Sequence, residues 1–196
     1  VAEFVQEYAA VRWTVVVAFL VASVIVVARF ATVRPAVASG PDPAVAHRES
    51  DAAHLVMCLV MLAMLVFPTG ASPHALRGVL VAMTVVFAAS VVHRLAQWRA
   101  GVPEAAAGAF AIGYHAVAAG AMLFAMGGHG ASGHTGPPML PALALAALFA
   151  ADALAVLLAR GGHRLPHPIG GSRVASIPHV VMDLGAAYML IAAVAG

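Results

Sequence analysis

Apolar residues run along this 196-residue chain in six stretches that are too continuous for the one-sided pattern of a soluble helix. They cover about 11–33, 50–67, 74–96, 103–126, 138–160 and 172–195. Each approaches the roughly 20 residues that an α-helix needs to cross about 30 Å of hydrocarbon. Proline and glycine clusters break the pattern between them: "RPAVASGPDP", "PTGASP", "GGHGASGHTGPP" and "GGHRLPHPIGG". The pattern predicts an all-α polytopic membrane protein, one domain of six transmembrane helices over 1–196. The second helix is expected to begin at Ser50 or Asp51, where a short polar side chain suits an N-cap and an acid suits the helix dipole.

Composition agrees. The chain is 63% hydrophobic and 9% charged, with a mean hydropathy of +0.96, and a soluble surface needs far more charge. Arginine orients the spans. Arg29, Arg34, Arg48, Arg94, Arg99, Arg160, Arg164 and Arg173 fall at ends and loops on one side, whereas Arg12 and Arg77 fall on the other. By the positive-inside rule both termini are extracytoplasmic, in a multi-pass protein of the cell membrane. The basic balance therefore belongs to membrane flanks and gives no nucleic-acid surface. Lysine is absent, which excludes Schiff-base chemistry. With Cys58 as the single cysteine, no intrachain disulfide can form. The opening "VAEFVQEYAAVRW" carries acids where a signal peptide would be basic, so none is expected.

Candidate chemistry sits within the apolar runs. In "DAAHLVMCLVMLAM", residues His54, Met57, Met61 and Met64 share a helical arc of roughly 80°. His115, Met122 and Met126 share roughly 40° of the fourth helix. His179, Met182 and Met189 share roughly 80° of the sixth, with Asp183 on the flank. Helices 2, 4 and 6 run in the same direction, each with its histidine nearer the inside. Asp51, His93 and Asp152 add a possible inner polar layer, and His129 and His134 a possible outer capture site. Ionisable groups at membrane depth are expensive and by default face the bundle interior. Thioether sulfur is a soft, neutral ligand that selects Cu(I), and imidazole suits copper and zinc alike. The expected role is therefore Cu(I) handling by transport, storage or delivery, a binding role more than an enzymatic one. Its partners would be the lipid bilayer, a metallochaperone or copper enzyme, and another copy of the chain. With no nucleotide-binding motif, any movement would be passive or ion-coupled.

Three other readings stay open. Two of His54, His115 and His179 suit axial ligation of a b-type haem in an electron-transfer protein. His54, His93 and His179 with Asp152 or Asp183 suit an intramembrane zinc hydrolase. A purely structural assembly subunit would use the same faces for helix packing, since methionine is also ordinary core filler.

The segment "ESDAAHLVMCLVMLAM" resembles a family of uncharacterised actinobacterial integral membrane proteins, whose members carry an acid and then H-x-x-M-x-x-x-M-x-x-M early in a six- or seven-span chain. That resemblance implies the architecture and no activity. "MLFAMGG" is similar, more locally, to the M-x-x-x-M filter of three-span copper-uptake transporters, through Met122 and Met126 alone.

Overall fold

The computed structural model describes residues 9–32, 43–67, 72–127, 136–158 and 173–195. They form six helices: α1 Ala9–Thr32, α2 Pro43–Val66, α3 Pro73–Arg99, α4 Glu104–Gly127, α5 Met139–Leu158 and α6 Arg173–Ala195. All six contain a segment long and apolar enough to cross a membrane. Their order and number match the hydropathy pattern, and the boundaries mostly fall within a few residues.

The start of α2 does not. The helix begins at Pro43, inside the segment expected to be a break, and Asp51 lies two turns into it instead of capping it. Proline is compatible with the first helical turn, where its missing N–H would be unsatisfied in any case. The polar first turns of α2 bond to neighbours instead of spanning apolar surroundings. Asp51 pairs with Arg29 at the end of α1, at 3.2 Å, and Glu49 pairs with Arg94 near the end of α3. These two ion pairs tie three helices together at the arginine-rich end of the bundle.

The helices pair as neighbours in sequence, α1 with α2, α3 with α4, and α5 with α6. Beyond those hairpins, α6 also packs on α1, α2 and α4, and α2 packs on α4. Consequently α2, α4 and α6 meet around one centre. α6 is the hub and its spanning segment is mostly buried, while α3 is peripheral and largely exposed. Close approach of α6 to α1 depends on Gly185, above which the Phe19 ring lies fully buried.

The α3–α4 hairpin shows how local chemistry sets the topology. Gly101 adopts a φ of 92°, which costs a residue with a Cβ but not glycine. This lets the Gly101 N–H donate to the Trp98 carbonyl at 3.0 Å and the Val102 N–H to the Gln97 carbonyl at 3.1 Å. That is a Schellman termination. Pro103 follows at once, and α4 starts at Glu104. A Cβ on Gly101 would meet nothing within 4 Å, so Gly101→Ala should cost backbone strain alone, about 1 kcal/mol. A thermal unfolding series on the two proteins would read that difference.

Polarity is turned inward. Val17, Val24, Val85, Phe110, Leu140 and Leu157 are among many large apolar side chains on the outer surface. The hydroxyls of Ser23, Thr84 and Ser90 donate to carbonyls one turn back in their own helices, at 2.8–2.9 Å, so they need no other partner. Asp51, His115, His179 and Asp183 are buried inside.

Candidate functional site

One helical turn beyond Asp51, α2 brings His54 to the centre of the bundle. Its Nδ1 lies 2.8 Å from the Ser50 carbonyl. A carbonyl only accepts, so Nδ1 carries the proton, and in the neutral ring Nε2 is left with its lone pair. That Nε2 faces His179 Nδ1 of α6 at 3.5 Å. His115 of α4 stands edge-on to His54, the ring centroids 4.4 Å apart. The three imidazoles that the sequence places on three separate helices are therefore neighbours.

On the other side of His179 are two carboxylates. Its Nε2 lies 2.8 Å from Asp152 Oδ2 of α5 and 3.4 Å from Asp183 Oδ2, one turn further along α6. Pro178 immediately precedes His179 inside α6; it has no N–H to give the helix, which frees the carbonyl four residues back. Tyr114 of α4 donates its hydroxyl proton to Asp183 Oδ1 at 2.8 Å, and its ring packs against both His179 and Phe149. Asp183 is fully buried, yet its Oδ2 accepts no hydrogen bond among the described residues. One atom each from Asp152, His179 and Asp183, suitable for holding a metal ion, lie within 4.8 Å of one another.

Methionine fills the same interior. Met57, Met61, Met122, Met182, Met189 and Met64 are all buried and belong to one core with Cys58, Leu65 and Phe149, and Met126 packs against it. The methionines read from spacing on α2, α4 and α6 thus lie in or against one buried core.

Two expected participants stand apart. His93 is exposed on α3, where its Nε2 is 3.0 Å from the Gln97 side-chain nitrogen one turn on; it does not join His54 and His179. Asp51 is buried but is engaged by Arg29. His129 and His134 lie outside the described residues. Tyr114 was not anticipated from the sequence. It is a hydroxyl within a long apolar run and adjoins His115, but nothing in its spacing announces Asp183, 69 residues away.

The model of one protein family, the domain of unknown function DUF5134, matches residues 46–193. The chain belongs to that family. The matched region contains every residue of the His/Asp group and of the methionine core, while α1 precedes it. No curated protein matches the chain, and no solved structure does. The DUF5134 assignment agrees with the resemblance to an uncharacterised family and assigns no chemistry.

Proposed function

We propose that this DUF5134 protein resides in the cell membrane with both termini outside and handles Cu(I) in the core shared by α2, α4 and α6. The inverted polarity of the bundle supports the membrane setting, because an apolar exterior around buried ionisable groups suits lipid and not water. The distribution of arginine supports the orientation. Arg29, Arg48, Arg94 and Arg99 gather at one end of the helices, and Arg12 and Arg77 stand at the other.

The observation that carries the copper reading is the burial in a single core of six thioethers from α2, α4 and α6, together with Met83 of α3, while His115 is also buried. Methionine sulfur stays a ligand without losing a proton, so it can hold a monovalent soft ion where charge separation is costly. Met57, Met61, Met122 and Met182 with His115 are the proposed Cu(I) donors. Transport, storage and delivery to a metalloenzyme all begin with this binding step.

Methionine to leucine substitution nearly conserves volume, and such swaps usually cost less than about 1.5 kcal/mol in a core. Combined Met57→Leu and Met61→Leu should therefore keep the fold and weaken Cu(I) binding by about tenfold or more. The check is anaerobic titration of the full chain in detergent against a chromophoric Cu(I) chelator, with helicity measured in parallel. Equal affinity in the two proteins would remove the copper reading and leave the methionines as packing. A Soret band on addition of haem, with no Cu(I) uptake, would favour the haem alternative instead.

A further inference from the structure

We infer that Asp152, His179 and Asp183 form a second metal site, separate from the thioether core, that takes a divalent first-row transition ion of the zinc type. The inference goes beyond the Cu(I) reading and does not depend on it.

The argument begins with which atoms are already engaged. Tyr114 occupies Asp183 Oδ1, which leaves Oδ2, fully buried and accepting no hydrogen bond among the described residues, turned toward His179. The Ser50 carbonyl fixes the His54 proton on Nδ1, so His54 Nε2 presents a lone pair to His179 Nδ1. His179 can then keep its proton on Nδ1, toward His54, while a metal ion replaces the proton that Nε2 otherwise gives Asp152 Oδ2. Metal-bound histidines ordinarily donate their other ring N–H to such an acceptor, which orients the ring. Asp152 Oδ2 completes the group at 2.8 Å from Nε2. Three donor atoms from two helices thus lie within 4.8 Å of one another, and their supporting partners come from two more.

Spacing and charge then choose the ion. Donors around a tetrahedral zinc with bonds near 2.0–2.1 Å lie about 3.4 Å apart. His179 Nε2 stands 2.8 Å from Asp152 Oδ2 and 3.4 Å from Asp183 Oδ2, with one donor atom from each of the three residues within 4.8 Å of the others. Shifts of a few tenths of an ångström to about 1 Å would close that spread around such an ion. Two carboxylates and a neutral imidazole sum to two negative charges. A divalent ion cancels them in surroundings where residual charge is expensive, and a monovalent one does not. Carboxylate oxygen is also a poor partner for Cu(I). Magnesium and calcium prefer six or more oxygens, whereas imidazole favours zinc and its neighbours. Three protein donors are also the number that catalytic zinc sites use, keeping a position for water or substrate.

The test uses the full chain in detergent, with Zn2+ affinity and stoichiometry from chelator competition and Co2+ as a spectroscopic probe. The wild type should hold one divalent ion at this site, with visible d–d absorption from bound Co2+. Asp183→Asn and Asp152→Asn should each weaken Zn2+ at least tenfold and leave Cu(I) affinity unchanged, while the Met57→Leu, Met61→Leu pair should show the reverse. Tyr114→Phe and His54→Gln, which alter only the positioning partners, should weaken Zn2+ roughly 10–100-fold and change the Co2+ spectrum with helicity intact. Absence of divalent binding in the wild type would overturn the inference. So would wild-type Zn2+ affinity in both Asn variants, or joint loss of Zn2+ and Cu(I) in them, which would mean one shared site. Loss of Cu(I) binding alone counts against the proposed function and leaves this site standing.

Discussion

Gly185→Ala should lower the stability of the folded bundle by about 1–3 kcal/mol, the usual range for extra volume in a closely packed core. The added Cβ would lie 2.3 Å from Phe19 Cζ and 2.7 Å from Phe19 Cε2. A flexible neighbour would swing aside, but the Phe19 ring is fully enclosed and shares the central core with Ala186, Met182 and Leu190. The strain must then go into the separation of α1 from α6. Helices that pack without a water-driven force depend on such close approach, which is why small residues concentrate where backbones cross. Gly185→Leu should be worse. Phe19→Leu, mild by itself, should recover part of the Gly185→Ala loss, because the colliding atoms are at the far edge of the ring. The measurement is a double-mutant cycle on reversible unfolding in detergent or bicelles. Additive losses in that cycle would show that the two residues do not touch.

Hydropathy made the number and order of the helices readable because a continuous apolar run of about 20 residues has few other solutions. At α2 the apolar stretch Arg48–Val66 fits the expected span, but the helix start was not legible, for a definite reason. "RPAVASGPDP" has the composition of a break, and only Pro43 at the first turn reconciles it with a helix. The seven residues from Pro43 to Glu49 carry no apolar periodicity, since the ion pairs of Glu49 and Asp51 hold that end instead.

The candidate site was legible in halves. Spacing alone put His54, His115 and His179 on the same faces as the methionines, and the shared direction of α2, α4 and α6 suggested that those faces meet. Which atoms pair was not legible. Asp152, on a helix built mostly of alanine and leucine, was expected in an inner polar layer and in the zinc reading, but its 2.8 Å contact with His179 is not written in any spacing. His93 had the same chemistry and a similar depth, but α3 turns it outward. Periodicity fixes a residue's position on its own helix. The rotation of that helix about its neighbours depends on packing such as Phe19 over Gly185, and no local pattern contains that information.

Arg29→Ala should be among the most damaging single substitutions at the arginine-rich end. Asp51 is 6% exposed, and removing the Arg29 guanidinium takes away a cationic partner of a carboxylate held inside the protein. Breaking a fully buried pair costs about 3–5 kcal/mol. The Arg29 side chain is 27% exposed, so water screens part of the interaction, and about 2 kcal/mol is the reasonable expectation. Asp51→Asn should cost less, because a neutral amide needs no counter-charge, and the double variant should be more stable than Arg29→Ala alone. That ordering distinguishes a lost counter-charge from lost packing, since lost packing would persist in the double variant. The consequences extend to the site. Asp51 sits one helical turn before His54, and His54 holds the His179 ring through its Nε2. Releasing this end of α2 from α1 should loosen that contact, so Zn2+ affinity should fall in Arg29→Ala and return in the double variant along with stability. Cu(I) affinity, which depends on methionines deeper along α2, should change less.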